Sequence, residues 1–139
     1  MLEEFLALSR ILTGVAPLDA ELGGRYLDRL MSSPWSGPVR QILDQFRGLT
    51  PGPGLAAQVQ QKLVADDSLR PAVCQIVLLW YTSALRDNLS PAIALRYGSP
   101  QEYFSSLAWR IVGAHPPGLS GGYFGHWRYR PENEPAGIP

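Results

Sequence analysis

The stretch LRPAVCQIVLLWYTSAL, from Leu69 to Leu85, determines the fold that the sequence predicts. Apolar residues occupy nearly all sides of a helix drawn through it, and a helix that is hydrophobic all round belongs in the middle of a core. We therefore expect the helix to lie at the centre of the domain, with a packing centre made of Ile76, Val77, Leu79, Trp80 and Tyr81. The apolar run is shorter than the ~20 residues of a membrane span, so no direct membrane insertion is predicted.

The single cysteine of the chain, Cys74, lies within this stretch. It has no second cysteine to pair with, and a thiol among Val73, Ile76 and Val77 is typical of a small buried hydrophobic side chain. A cysteine nucleophile needs a base and an orienting partner in a cleft. Since no histidine lies near Cys74 in the sequence, we expect a buried, inert thiol.

Shorter amphipathic helices are predicted before the central one, from apolar residues that recur every three or four positions. The first runs from Leu2 to Leu12 and ends at Gly14, and the second begins after Asp19. Its predicted inner face comprises Leu22, Tyr26, Leu27 and Leu30, while Arg25, Asp28 and Arg29 are expected to point outward. The third helix starts near Gly37, with an inner face of Val39, Ile42, Leu43 and Phe46.

The region between the third and the central helix contains a loop and a short helix. Residues 48–54 alternate glycine and proline with few other residues, which predicts a loop. A helix from about Leu55 to Ala65 follows. The side chains of Asp66, Asp67 and Ser68 then offer oxygen atoms that could cap the start of the central helix.

After the central helix we expect an irregular region, residues 89–99, and one more helix from about Pro100 to Val112. No strand pattern is strong enough to predict a sheet. The fold class is therefore all-α: a compact helical bundle of about five to six helices over residues 1–112. Residues 113–139 form a second unit, an extended C-terminal arm.

This arm is rich in proline and glycine, yet it carries four aromatic residues within seven positions. Aromatic side chains gain much free energy on burial and dominate interface hot spots. We therefore expect the arm to lie on its own helical body or on a partner. The candidate partner-binding residues are Pro116, Pro117, Tyr123, Phe124, Trp127 and Tyr129.

Composition and motifs give no indication of catalysis. Twelve basic residues balance twelve acidic ones, so no net field recruits nucleic acid or an anionic membrane. His115 and His126, eleven residues apart, make a poor zinc site, and neither glycine-rich stretch matches a nucleotide-binding fingerprint. The sequence thus predicts no catalytic residues, no metal and no cofactor of its own.

The first ten residues have no basic start, no continuous apolar run and no small-residue cleavage site, so we do not interpret them as a leader peptide. Localisation stays open at this stage. The chain is expected to be periplasmic if a leader was removed or if it is exported with a partner, and cytoplasmic otherwise.

Four segments resemble one protein family, in the same order along the chain. They are FLALSRILTG from Phe5 with the following Leu18-Asp19, LWYTSALRDN from Leu79, ALRYG from Ala94, and PPGLSGGYFGHWRYRP from Pro116. Together they resemble the small (gamma) subunits of membrane-associated, FAD-dependent sugar and polyol dehydrogenases. These include the small subunits of the fructose, glucose and D-sorbitol dehydrogenase complexes.

The resemblance implies a non-catalytic accessory subunit with a chaperone-like role. Such subunits bind a flavoprotein catalytic subunit of the glucose-methanol-choline type, help it to mature and hold no flavin themselves. They typically carry a twin-arginine leader that exports the folded pair. The resemblance implies that Tyr123, Phe124 and Trp127 anchor the arm on the catalytic subunit, while Pro116 and Pro117 stiffen its approach.

Two departures from the family pattern affect this interpretation. The family tail usually has a cysteine where this chain has Ser120, so a covalent link through that position is excluded. The family's leader is also not recognisable here, which places the export role in doubt but not the binding role. The alternative function is a free-standing helical module that binds a small apolar ligand or regulates an unrelated protein.

Overall fold

The computed structural model describes residues 1–86 and 95–114, which form a helical body with one small sheet. Three amphipathic helices come first: α1 (Leu2–Thr13), α2 (Ala20–Met31) and α3 (Ser36–Arg47). Helix α1 ends where Gly14 adopts a left-handed conformation with φ of 70°, as the sequence predicted. The Asp19 side chain caps α2 by accepting a 2.8 Å hydrogen bond from the Leu22 amide.

The central helix, α5 (Arg70–Thr82), follows a short helix α4 (Leu55–Val59) that continues as a π-helical turn over Gln60–Val64. The predicted capping of α5 by residues 66–68 is wrong. The carboxylate of Asp66 instead accepts hydrogen bonds from the amide and hydroxyl of Ser68, two residues on. This local turn uses the oxygen before α5 begins, and α5 follows Leu69 without a side-chain cap.

A small antiparallel sheet follows α5, where the sequence predicted none. Strand β1 (Ala84–Arg86) pairs with β2 (Leu95–Tyr97), with Leu85 opposite Arg96. The chain leaves α5 at Ser83, which adopts a left-handed conformation with φ of 56°. Three residues per strand are too few to produce a recognisable alternating pattern, so the pair could not be predicted from the sequence.

The last predicted helix is two helices, α6 (Pro100–Phe104) and α7 (Leu107–Val112), separated at Ser105. Ser99 caps α6: its hydroxyl accepts a hydrogen bond from the Glu102 amide, and the Glu102 carboxylate accepts one from the Ser99 amide. The indole of Trp109 donates to the Tyr103 carbonyl at 3.0 Å. This bond satisfies a carbonyl at the end of α6 and fixes the break between the two helices.

Trp80 lies at the centre of the core and is 1% exposed. Its ring stacks against Phe5 of α1, with 6.3 Å between centroids, and meets the edge of Tyr26 of α2 at 5.1 Å. Helices α1, α2 and α3 pack around one another, and α5 packs on α1 and α3. The predicted all-α class is confirmed, and no helix among residues 1–86 and 95–114 is both long and apolar enough to cross a membrane.

A buried ionic cluster attaches the sheet and α6 to the helical body. Glu102 is 6% exposed, and its carboxylate lies 3.3 Å from Nη1 of Arg29 and 3.6 Å from Nε of Arg25. Arg29 also donates to the carbonyls of Ser83 and Arg96. The outward position predicted for Arg29 is therefore wrong, because its guanidinium turns inward to join α2 to the end of α5, β2 and α6.

Gly98 provides the space that this cluster occupies. A Cβ atom at position 98 would overlap the Glu102 carboxylate and would lie within 2.8 Å of Arg29 Nη1. Only a residue without a side chain permits the turn between β2 and α6 to pass so close to the ion pair.

An exposed ion pair joins α1 to α3 at the other end of the bundle. Arg47 donates two hydrogen bonds to Glu4, at 2.7 and 3.0 Å. These bonds, with a smaller effect of the N-terminal amine, lower the pKa of Glu4 from 4.5 to about 2. A carboxylate with a lowered pKa contributes stability above its unfolded pKa, and that contribution is lost as the pH falls through its folded pKa.

We therefore expect Glu4→Gln to lower stability at neutral pH and to leave it unchanged near pH 2, where the wild-type carboxylate is itself becoming protonated. Urea unfolding at a series of pH values measures this difference. Glu3→Gln is the matched control, because it removes the neighbouring charge without touching Arg47. Equal pH profiles for the Glu4 and Glu3 variants would show that the α1–α3 ion pair contributes nothing.

Candidate partner-binding surface

The arm residues that the sequence selected for partner binding lie outside the described part of the structure. They are Pro116, Pro117, Tyr123, Phe124, Trp127 and Tyr129, and Ser120 lies there too. The same holds for His115 and His126. Their roles stay predictions, and the candidate surface described below belongs to the helical body.

Helix α5 has two apolar faces that meet different surroundings. One face is buried in the core and comprises Ala72, Val73, Ile76, Leu79 and Trp80. The other face carries Cys74, Val77, Leu78 and Tyr81, which recur at the three- and four-residue spacing of a helical stripe. Val77, Leu78 and Tyr81 are only half-buried. The apolar character of α5 on all sides therefore does not bury it completely.

Cys74 is exposed, so the prediction of a buried thiol is wrong. The reason is its position on the outer stripe of α5, one turn before Val77 and Leu78. Its apolar neighbours in sequence, Val73 and Ile76, are buried, and Ile76 points to the opposite face of the helix. Sequence proximity to buried residues could not distinguish the two faces.

The outer stripe of α5 forms the floor of an open groove of about 920 Å³. Ile11 and Leu12 of α1 form one wall. Ala56 and Val59 of α4 and Val64 of the π-helical turn form the other. Tyr81 is fixed at one end of the groove, where its hydroxyl donates to the Thr13 carbonyl at 3.0 Å.

The charged residues that line the groove are both arginines, Arg70 and Arg86. Arg70 is already engaged, with an ion pair to Asp67 at 2.8 Å and hydrogen bonds to the carbonyls of Val64 and Ala65. Arg86 is exposed, and its guanidinium makes no ion pair with any residue of ranges 1–86 and 95–114. It is the cation that the groove offers to a ligand.

The backbone of Arg86 is held from two sides. Its amide donates to the side chain of Gln75 at 3.0 Å, and its carbonyl accepts from the indole of Trp35 at 2.8 Å. The side chain of Gln75, which is 2% exposed, also donates to the Ala84 carbonyl. A buried amide in an apolar helix thus positions β1, and with it Arg86, at the rim of the groove.

A second, aromatic cleft of about 630 Å³ adjoins the groove, and Tyr81 lines both. Tyr97, Tyr103 and Trp109 line this cleft, and the ring of Tyr103 meets those of Tyr97 and Trp109 edge-on at 6.3 and 5.4 Å. Tyr97 is 59% exposed. Large aromatic surface left in solvent beside an apolar groove is typical of a protein interface.

Tyr26 is a titratable residue of the described body that has a structural role. Burial raises the pKa of Tyr26 to about 12, so its hydroxyl stays protonated and donates to the Glu102 carbonyl. Within the described residues, no three histidine, cysteine, aspartate or glutamate side chains are grouped so that they could hold a metal ion. The groove is lined mostly by apolar side chains, together with Cys74, Tyr81, two glutamines and two arginines.

The sequence contained a signal for this groove that our interpretation missed. A helix that is apolar on all sides needs apolar partners on all sides, and a domain of this length has few elements with which to cover it. The remaining face therefore either meets a further molecule or stays in solvent. The spacing of Cys74, Val77, Leu78 and Tyr81 marked that face.

Comparison with known proteins returned one family. A model described as "Membrane bound FAD containing D-sorbitol dehydrogenase" matches residues 1–99, which is 99 of the 139 residues. The matched range contains α1 to α5 and both walls of the groove. Searches of curated proteins and of solved structures gave no significant match. The resemblance identified from the sequence is confirmed at the level of the family.

The family description names FAD, and the described residues do not fit that group. A dinucleotide is held where a strand of a parallel sheet leads through a glycine-rich turn into a helix whose N-terminus faces the pyrophosphate. Here the strand β2 is antiparallel to β1 and leads into α6. The start of α6 is occupied by the Glu102 carboxylate, which would repel a pyrophosphate.

We expect Cys74 to react with a water-soluble thiol reagent in the folded protein, at a rate near that of the unfolded chain. One equivalent should be consumed, since the chain has a single cysteine. A colorimetric disulfide reagent, added with and without denaturant, measures both rates. If the folded protein reacts only after unfolding, the outer stripe of α5 is covered and the groove is not open.

Proposed function

This chain belongs to the membrane-bound FAD-containing D-sorbitol dehydrogenase family, and we propose that it is a non-catalytic accessory subunit. In this proposal it binds the FAD-dependent catalytic subunit of a sugar or alcohol dehydrogenase and assists its maturation. Flavin binding and substrate oxidation belong to that larger partner.

The observation that carries the proposal is the apolar outer stripe of α5, in which Cys74 is exposed and Val77, Leu78 and Tyr81 are only half-buried along the groove. Soluble domains rarely leave contiguous apolar surface in water unless it meets another molecule. Here the stripe continues through Tyr81 into the aromatic cleft, so the two surfaces form one extended apolar region. Glu4 and Glu102 of the described body are engaged in ion pairs that hold helices together.

The arm is the second part of the proposed interface. Tyr123, Phe124, Trp127 and Tyr129 supply aromatic anchors, and Pro116 and Pro117 limit the freedom of the segment that precedes them. The described chain reaches Ala114 just after α7, whose Trp109 lines the aromatic cleft. The arm therefore starts next to the apolar surface of the body, and a partner could contact both.

One observation favours the alternative, a module that binds a small apolar ligand. The volume of the groove, about 920 Å³, falls at the upper end of the range of roughly 300–1,000 Å³ typical of small-molecule sites. That function predicts a chain that is stable and monomeric by itself. It also predicts a melting temperature that rises with an apolar ligand and does not change with the catalytic subunit.

The test is co-expression of the full chain with the FAD-dependent dehydrogenase catalytic subunit of its host, followed by size-exclusion chromatography. We expect one complex of fixed stoichiometry with a flavin absorption spectrum, and a higher yield of flavin-loaded catalytic subunit than without the chain. The purified chain by itself should be colourless and inactive. Separate elution with an unchanged yield of flavoprotein would contradict the proposal.

Truncation of the chain after Gly113 tests the arm. We expect the Kd for the catalytic subunit to rise at least tenfold, since each buried aromatic anchor typically contributes ~2 kcal/mol or more. Truncation after Pro131 is the control, because it shortens the chain and retains all four aromatic residues. An unchanged Kd for the shorter variant, measured by surface plasmon resonance, would exclude Tyr123, Phe124 and Trp127 as anchors.

A further inference from the structure

We infer that the groove between α1, α4 and α5 receives an apolar segment of the catalytic subunit, and that a carboxylate on this segment pairs with Arg86. The inference rests on the proposed function and specifies where the helical body makes its contact. It concerns a surface that is separate from the arm residues selected by the sequence.

The apolar residues on the floor of the groove have the spacing that is typical of contacts between two packed helices. Cys74, Val77, Leu78 and Tyr81 occupy positions i, i+3, i+4 and i+7 of α5, so they form one continuous stripe. Walls from α1 and α4 stand on either side. A partner segment with apolar side chains at similar spacing would complete the packing that α1 and α3 already provide on the opposite face of α5.

The positive charge of the arginines that line the groove indicates which chemical group a bound partner segment must carry. The chain as a whole is neutral, yet the charged residues lining the groove are Arg70 and Arg86. Arg70 is saturated by Asp67 and two carbonyls. Within residues 1–86 and 95–114 the Arg86 guanidinium has no ion-pair partner, and hydrogen bonds of its backbone with Gln75 and Trp35 fix the position of its Cα atom at the groove. The complementary group is a carboxylate.

The same charges disfavour the other occupants. In a symmetric dimer formed across this groove, the two cationic rims would face each other. The arm of this chain carries Arg128 and Arg130 together with Glu132 and Glu134, so its charges cancel and it brings no net negative charge to Arg86. A segment of the partner with a carboxylate beside apolar residues meets neither obstacle.

Cys74 reports on the occupancy of the groove in the purified complex of full chain and catalytic subunit. We expect its rate of reaction with a soluble maleimide to fall at least tenfold on complex formation, because the partner segment covers the floor. A complex that forms normally but leaves Cys74 fully reactive overturns the inference and leaves the proposed function intact. Failure to form any complex overturns both.

The identity of the occupant follows from a photoreactive benzophenone maleimide attached to Cys74 before assembly, with peptide mapping by mass spectrometry after irradiation. The expected cross-linked peptide belongs to the catalytic subunit and contains a carboxylate among apolar residues. Cross-links to residues 115–139 of this chain, to a second copy or to lipid would overturn the inference.

Charge reversal tests the role of Arg86 directly. We expect Arg86→Glu to raise the Kd at least tenfold and Arg86→Gln to raise it several-fold, with the melting temperature of the free chain unchanged. Arg40→Glu is the matched control, since Arg40 is an exposed arginine on α3 that does not line the groove. Equal affinities for the Arg86 and Arg40 variants would overturn the carboxylate pairing.

Discussion

Trp80 packs between Phe5 and Tyr26, and the rest of the body is arranged around this contact. It joins α5 to α1 and α2 through three aromatic rings, and such rings carry the largest burial energies in a core. The contact also fixes the rotation of α5 about its axis. When Trp80 points into the core, Val77 lies at the edge of the buried face of α5. Tyr81 lies on the outer side of the helix.

Buried polar residues then fix the positions of β1, β2 and α6 on the helical body. Gln75 satisfies two backbone groups of β1, while Arg29 and Glu102 bind the end of α5, β2 and α6 to α2. Unpaired groups in these positions would be costly, so the small sheet has one favourable position. The buried side chain of Gln75 therefore determines the position of Arg86, so the location of the positive charge at the groove depends on the packing of the core.

The surface of the described body is the basis for the binding role that we propose. Ion pairs such as Arg29–Glu102 and Arg47–Glu4 hold elements of the described body together, while the groove and the aromatic cleft present apolar and aromatic side chains with Arg86 beside them. An accessory subunit of a dehydrogenase needs such a surface and no reaction centre. The family assignment covers the same residues that build the groove, so the surface belongs to the part of the chain that the family shares.

Local patterns in the sequence determined the helices, their inner faces and the family. The inward positions of Leu22, Val39 and Phe46 followed from periodicity, because each amphipathic helix has only one face to bury. The two-stranded sheet, the break at Ser105 and the inward turn of Arg29 depend on partners distant in sequence. The exposure of Cys74 was likewise decided by tertiary structure, because a helix that is apolar all round does not reveal which face its neighbours cover.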